Sequence, residues 1–194
     1  MIDGDILYDV DPDVHYFGSD LQQSNYYSVD QYKDLCYDSK SFISIINYNI
    51  RSFSANSDSM ISMFSSSSFP EILTLTETWF NEDNLEDISG YSSFHITRKL
   101  RRSGGISIFV KQDISAIQIP HLSFSNETIE VCTVEAKFAD CSITFIGIYR
   151  SYSDTVNNFI ELLNSVISYP YLAGRNCKIL EDLNMNIADD TGPS

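Results

Sequence analysis

The sequence predicts an α/β sandwich, with two sheets packed face to face and helices on the outside. Two observations carry this. From Phe42 onward, short apolar runs of strand length alternate with segments of helical period. Within that pattern Ile129 to Ala136 and Ser142 to Tyr149 both alternate, separated only by Lys137 to Cys141, the spacing of an antiparallel hairpin. Strand–helix–strand units and antiparallel pairs in one chain are accommodated by two packed layers of sheet. A length of 194 residues with 43% hydrophobic content suffices for a real core and makes one main domain the default.

Residues 1 to 40 stand apart. They hold nine acids and two bases, the turn-prone pieces Asp11-Pro12-Asp13 and Gly18-Ser19-Asp20, and little periodicity. They read as an irregular acidic arm whose Tyr16, Phe17, Tyr26, Tyr27 and Tyr32 dock on the domain or on a partner. From residue 41 the partial domain begins. Phe42 to Tyr48 reads as a strand. Ser57 to Phe64 reads as a helix with Met60, Ile61 and Phe64 on one face, and Ser65 to Ser68 as a loop. Ile72 to Thr76, Tyr91 to Ile96, Gly105 to Val110 and Ala116 to Ile119 read as strands. Asp154 is placed to cap a helix carrying Val156, Phe159, Ile160, Leu163 and Ile167, and Cys177 to Leu183 reads as the last strand.

Charge and composition narrow the function. Twelve Lys and Arg against 27 Asp and Glu give a net charge of −15, which repels a polyanion at long range. Five of the ten bases after residue 40 nevertheless fall between Arg98 and Lys111. Arg98, Lys99, Arg101 and Arg102 precede Gly104-Gly105, either as a phosphate-contacting loop or as a solvated basic turn. Cys36, Cys132, Cys141 and Cys177 have no paired spacing for zinc or a redox dithiol and read as reduced structural thiols. The acidic start has neither a basic leader nor an apolar core of a signal peptide, and no apolar run has membrane length. The expectation is a nuclear or cytoplasmic protein, not a secreted or membrane one, with Asn126-Glu127-Thr128 a chance sequon.

Three apolar runs end on groups suited to a metal or a phosphate: Asn49, Glu77 and the Asp182-Leu183-Asn184 triplet. Reactive groups gather at such strand ends because the buried strand fixes them while the loop leaves them open. Asn can also simply terminate a strand, Glu can be a surface group, and Asp and Asn are common turn residues. The residues alone leave both readings open.

The order of the motifs supports a resemblance. Asn49-Ile50-Arg51-Ser52, Leu75-Thr76-Glu77-Thr78-Trp79, Gly90-Tyr91, Gly104-Gly105, Ile129-Glu130, Gly147-Ile148-Tyr149-Arg150 and Asp182-Leu183-Asn184 follow the order of the endonuclease/exonuclease/phosphatase family. The chain resembles more narrowly the endonuclease domain of non-LTR retrotransposons of the chicken-repeat-1 and jockey-like kind, from about Asp9 to Ile187. That likeness implies a Mg²⁺- or Mn²⁺-dependent DNA endonuclease that nicks target DNA, with a reverse-transcriptase domain in the same polyprotein. It implies that Glu77 holds the cation with support from Asn49, and that Asp182 activates the attacking water. Asn184 and Tyr149 would bind the scissile phosphate, and Arg51, Arg98, Arg101, Arg102 and Arg150 are candidates for DNA contact, although Arg150 reads more readily as a solvated charge. Relatives that cut at abasic sites carry an acid where this chain has Arg51, which favours the retrotransposon branch.

Departures from the pattern set the remaining expectations. Glu181 places an extra carboxylate before Asp182, and Tyr-Arg-Pro-Pro has become Tyr149-Arg150-Ser151-Tyr152. The family's Ser-Asp-His segment would lie beyond Ser194, so the expected sandwich is incomplete at its C-terminus. His15, His95 and His121 fall outside the motifs and read as surface or packing residues. The expected activity is therefore weak or absent, the alternative being a catalytically dead remnant or a binding module.

Overall fold

The computed structural model describes residues 43–65, 69–98, 103–151 and 155–184. The acidic arm, residues 66–68 of the expected Ser-rich loop, Asp154 and the Arg101-Arg102 pair lie outside them, whereas Ser65 is helical. The elements in order are β1 (Ile45–Asn49), α1 (Phe53–Ser65), β2 (Ile72–Thr76), β3 (Tyr91–Ile96), β4 (Ile106–Lys111), β5 (Ser115–Gln118), β6 (Phe124–Ser125), β7 (Ile129–Lys137), β8 (Ser142–Arg150), α2 (Val156–Ile167) and β9 (Asn176–Asp182). One sheet runs β1-β2-β4-β3 and the other β5-β7-β8-β9, with β6 also on β7. The β1–β2 and β8–β9 pairs are parallel, and the others antiparallel. The α/β two-sheet architecture expected from the sequence is the one observed, and the 129–150 hairpin pairs in unbroken register from Ile129↔Arg150 to Lys137↔Ser142.

Strand alternation distributes the core. On β2 and β4, Ile72, Ile106, Ile108 and Val110 point between the sheets and meet Cys132, Val134, Ala136, Ile143 and Phe145. The intervening Leu73, Leu75 and Phe109 point outward and bury Phe53, Met60 and Phe64 of α1. On the other side, Ile129, Val131, Ile146 and Ile148 receive Phe159 and Val166 of α2. Each fully buried side chain of this size contributes about 1.5–3 kcal/mol through burial. The sheets close tightly at Gly147, where a Cβ would lie 2.8 Å from Ile106 Cδ1 and 3.3 Å from Thr74 Cγ2. The glycine of the Gly-Ile-Tyr-Arg motif is therefore a packing requirement that brings Tyr149 under the opposite sheet.

Two helix starts differ from the sequence expectation. Helix α1 begins at Phe53, a turn before Ser57, because Ser52 N donates to Glu77 O (2.8 Å) and Phe53 N to Thr78 O (3.0 Å). Contacts to the end of β2 supply partners for the start of α1 that no local motif announces. Helix α2 is capped by Thr155, whose side chain accepts from Asn158 N at 3.3 Å, where the sequence reading chose Asp154. Among the described residues no helix is long and apolar enough to cross a membrane.

Candidate active site at the strand ends

Strands β1 and β2 run parallel in one sheet, and β8 and β9 run parallel in the other. Their C-terminal ends converge, and the sheets are tied there by Asn47 Nδ2, which donates to Glu181 O at 2.7 Å. Asn49 is the bridge of the site: its Nδ2 donates to Glu77 Oε1 (3.0 Å) and to Asp182 Oδ2 (2.8 Å). Thr76 Oγ1 donates to the same Asp182 oxygen at 3.0 Å, and Tyr149 OH reaches Glu77 Oε1 at 3.4 Å. A cleft of about 420 Å³ opens here, lined by Asn47, Asn49, Thr76, Glu181, Asp182, Leu183 and Asn184. Thus Asn49, Glu77, Tyr149, Asp182 and Asn184, separated by up to 135 positions in sequence, share one end of the sandwich.

The backbone around this site is held in unusual conformations. The non-glycine residues with positive φ among those described are Arg51, Ser52, Glu77, Trp79 and Asn184, all in the segments that leave β1, β2 and β9. Left-handed backbone costs roughly 1–2 kcal/mol for an L-residue, and such residues cluster where the surroundings over-determine them. Glu77 itself has φ 53°, so its carboxylate leaves the strand in a direction the β2 alternation does not provide.

Carboxylates surround the Tyr149 hydroxyl. The Tyr149 phenol is pushed well above its usual range, by burial first and then by the charges of Glu77, Glu130 and Asp182, with only Arg98 opposing. Among the described residues no three His, Cys, Asp or Glu side chains form a closed metal cage. One or two carboxylates are nevertheless the protein complement a Mg²⁺ ion ordinarily takes, with water completing its shell. Glu77 meets that requirement as a single carboxylate, and the Asn49 amide joins it to Asp182.

The other candidates divide. Arg51 is exposed beside Asn49, its N–H donating to Asn49 Oδ1 at 3.2 Å. Arg98 is turned inward: its Nε lies 2.6 Å from the fully buried Glu130, and its Nη2 donates to Glu127 O at 3.2 Å. The guanidinium of Arg98, a candidate for DNA contact, is thus engaged in this ion pair. Arg150, read as a solvated charge or a phosphate contact, is buried instead. Its Nη1 donates to Asn184 O at 3.1 Å, and its guanidinium lies 5.8 Å from the Phe159 ring centroid. Asn184 returns the contact, donating from Nδ2 to Arg150 O at 2.8 Å, so the pair fixes the loop after β9. Glu181, the extra carboxylate, is exposed on the alternate side of β9 from Asp182.

Thr76, in the cleft, and Glu130, outside it, both stand in motifs of the family resemblance, but sequence reasoning assigned neither of them a role. Thr76 shares strand parity with Ile72, which points its hydroxyl between the sheets, but its partner Asp182 is 106 positions away. His95 and His121 are packing residues as expected: His95 sits edge-on to Phe80 and Phe109, and His121 packs on Tyr169 and Tyr171. Ser107, His95 and Asp87 line up like a hydrolase triad, with Oγ to Nδ1 at 2.8 Å and Nε2 to Oδ1 at 3.7 Å. Ser107 is fully buried and cannot meet a substrate. The free thiols are ordinary too, burial pushing that of Cys132 up to about 12.

The arrangement has solved counterparts. The fold is that of the endonuclease/exonuclease/phosphatase proteins. The endonuclease domain of TRAS1, a telomere-specific non-LTR retrotransposon, superposes with a TM-score of 0.54 at 17% identity over 76% of this chain. The human Nocturnin catalytic domain matches at 0.54 and 14% over 74%, and the Xenopus laevis APE2 catalytic domain at 0.51 and 17% over 73%. The chain spans 61%, 64% and 58% of these three structures. At such identities the likeness is one of fold. No family model and no curated protein matches the sequence.

Proposed function

We propose that this chain is a metal-dependent phosphodiester hydrolase, a DNA endonuclease of the retrotransposon type. The observation that carries the reading is the Glu77–Asn49–Asp182 bridge between the two sheets, with Tyr149 against Glu77. Glu77 would hold the cation, Mg²⁺ or Mn²⁺, with Asn49 supporting that carboxylate by its hydrogen bond, and the bound ion would supply Lewis-acid polarisation of the phosphodiester. Both bonds to Asp182 fall on Oδ2, and among the described residues no donor reaches Oδ1, which leaves that oxygen to take a proton from attacking water. Tyr149 is kept protonated by its surroundings and serves as a neutral donor to phosphate. Arg51, and Arg101 and Arg102, which precede Gly104 in sequence, would supply the phosphate contacts that an acidic protein needs locally. The TRAS1 likeness supports the retrotransposon setting, in which a reverse transcriptase domain would extend the freed 3′ hydroxyl.

A second reading is a binding module without catalysis. It is favoured by the absence of any histidine from the site among the described residues, since a general acid–base group is typically worth about 10²- to 10⁴-fold in rate. Nicking of supercoiled plasmid with Mg²⁺ or Mn²⁺ separates the two. The hydrolase reading expects slow nicking that both Glu77→Ala and Asp182→Ala abolish. Retained DNA binding with no nicking under either metal would leave the binding module.

A further inference from the structure

Glu130 is a fully buried carboxylate on β7, outside the cleft. Its Oε2 accepts from Gly105 N at 2.6 Å. Its Oε1 meets Arg98 Nε at 2.6 Å as an ion pair, without a well-aligned hydrogen bond to complete it. Burying a charge is costly unless it is paired, and this pair has lost nearly all contact with water, Arg98 being only 10% exposed. Stability alone gives little reason for such a group, because a well-packed apolar replacement is often as good.

What Glu130 touches supplies the reason. Gly104 and Gly105, with φ of 96° and 88°, form the turn that enters β4. A Cβ on Gly104 would lie 2.6 Å from Glu130 Oε1, and one on Gly105 would lie 2.5 Å from Thr78 Oγ1. The turn is thus gripped from below by Glu130, and above it presses on the chain just after Glu77. There Gly105 O accepts from Thr78 N (3.3 Å) and Gly104 O from Trp79 N (2.9 Å). These are the bonds that pin the segment in which Glu77 and Trp79 adopt left-handed backbone. A second link runs across the hairpin. Glu130 pairs with Tyr149 in the β7–β8 register, and the Tyr149 hydroxyl reaches Glu77.

We propose that the buried Glu130–Arg98 pair is a positioning device for the Glu77 carboxylate, acting through the Gly104-Gly105 turn and Tyr149. The inference rests on the reading that Glu77 holds a divalent cation. Glu130 itself touches neither metal nor substrate. The pair ties three loops, because Arg98 Nη2 also holds the carbonyls of Asn126 and Glu127 before β7.

Trp79 is the sole tryptophan of the chain and 40% exposed, so its fluorescence reports on this segment. The test is acrylamide quenching and Mn²⁺ titration of Trp79 emission in the full chain, with Mg²⁺ as competitor, for wild type, Glu130→Gln and Glu71→Gln. Glu71→Gln removes a comparable charge pair, with Lys111, beyond the other end of β2. Glu130→Gln is expected to raise acrylamide quenching and to weaken the Mn²⁺ midpoint about tenfold, as loss of an outer-shell partner does, while Glu71→Gln matches wild type. Arg98→Met should shift both readouts the same way and serves where Glu130→Gln does not fold. Wild-type responses in a folded Glu130→Gln or Arg98→Met protein overturn the proposal, as does an equal shift in Glu71→Gln. If wild type shows no Mn²⁺ response, the cation reading of Glu77 fails, and unchanged acrylamide quenching in the variants separately rejects the positioning role.

Discussion

Glu71 and Glu130 each meet one cation at opposite ends of the two sheets, yet the two pairs are built on different principles. At the Glu71 end the carboxylate is 30% exposed and Lys111 28% exposed, with the Ser44 N–H and hydroxyl as further donors. Partial burial pulls Glu71 upward, but the bonds from Ser44 and Lys111 outweigh it and hold the group below its usual value. At the Glu130 end burial dominates and pushes the carboxyl up to about 7, against Arg98 and Gly105. The first arrangement is an ordinary surface clasp. The second lies under the segment that carries Glu77, where the chain also departs from relaxed backbone. One end of the sandwich maintains the fold, and the other spends conformational energy on aiming side chains.

The largest separation between the ends is expected from glycine replacement. Gly90→Ala, at the Glu71 end, meets nothing within 4 Å and has only its φ of 85° to resist it, a cost of about 1–2 kcal/mol. Gly105→Ala adds the clash with Thr78 Oγ1 to a similar φ, and overpacking brings a further cost of roughly 1–3 kcal/mol. Urea unfolding of both variants checks this, and equal losses would remove the distinction.

The pH dependence should differ in sign. A folded pKa of about 7, above the 4.5 of the free group, means that the Glu130 contribution is fully present below 4.5 and is lost as pH rises through 7. Glu71, lowered below 4.5, contributes above that value and loses its contribution as pH falls through its folded pKa. Stability curves from pH 3 to 8 should therefore lose their neutral-side slope in Glu130→Gln and part of their acid-side slope in Glu71→Gln. Crossed results would show that the two environments have been assigned the wrong way round. The smallest effect is Lys111→Met, expected to cost about 0.2–1 kcal/mol as a part-exposed pair. A loss above about 2 kcal/mol would place that end among the buried networks too.

Much of the sandwich was legible because its signal is local. Ile72 to Thr76 and the 129–150 hairpin declare themselves by apolar run and alternation, and one strand parity sends Ile72 inward and Leu73 outward. Asn49, Glu77 and Asp182 could be picked out because each follows an apolar run, Tyr149 only through the family resemblance, and the structure brings the four to one end. Arg98 and Arg150 were read as outward-facing charges because a cluster of bases carries no mark of which member finds a buried carboxylate or a carbonyl. Glu130 stands in the Ile129-Glu130 motif, but nothing near it in sequence names its partners. Its partners lie 25 and 32 positions distant, and they meet only when β4 and β7 face each other.

The sequence by itself determined where the main strands lie, though not the two-residue β6 or the bounds of β1, and which polar groups stand at strand ends, since these follow from period, propensity and order along the chain. Only the tertiary structure decided that Thr76 and Asn49 converge on Asp182 and that Tyr149 reaches Glu77. It alone decided that a buried Glu130 underlies the Gly104-Gly105 turn. Those relations depend on register across two sheets and on left-handed backbone at Glu77 and Asn184, and both are imposed by packing between segments far apart in the chain.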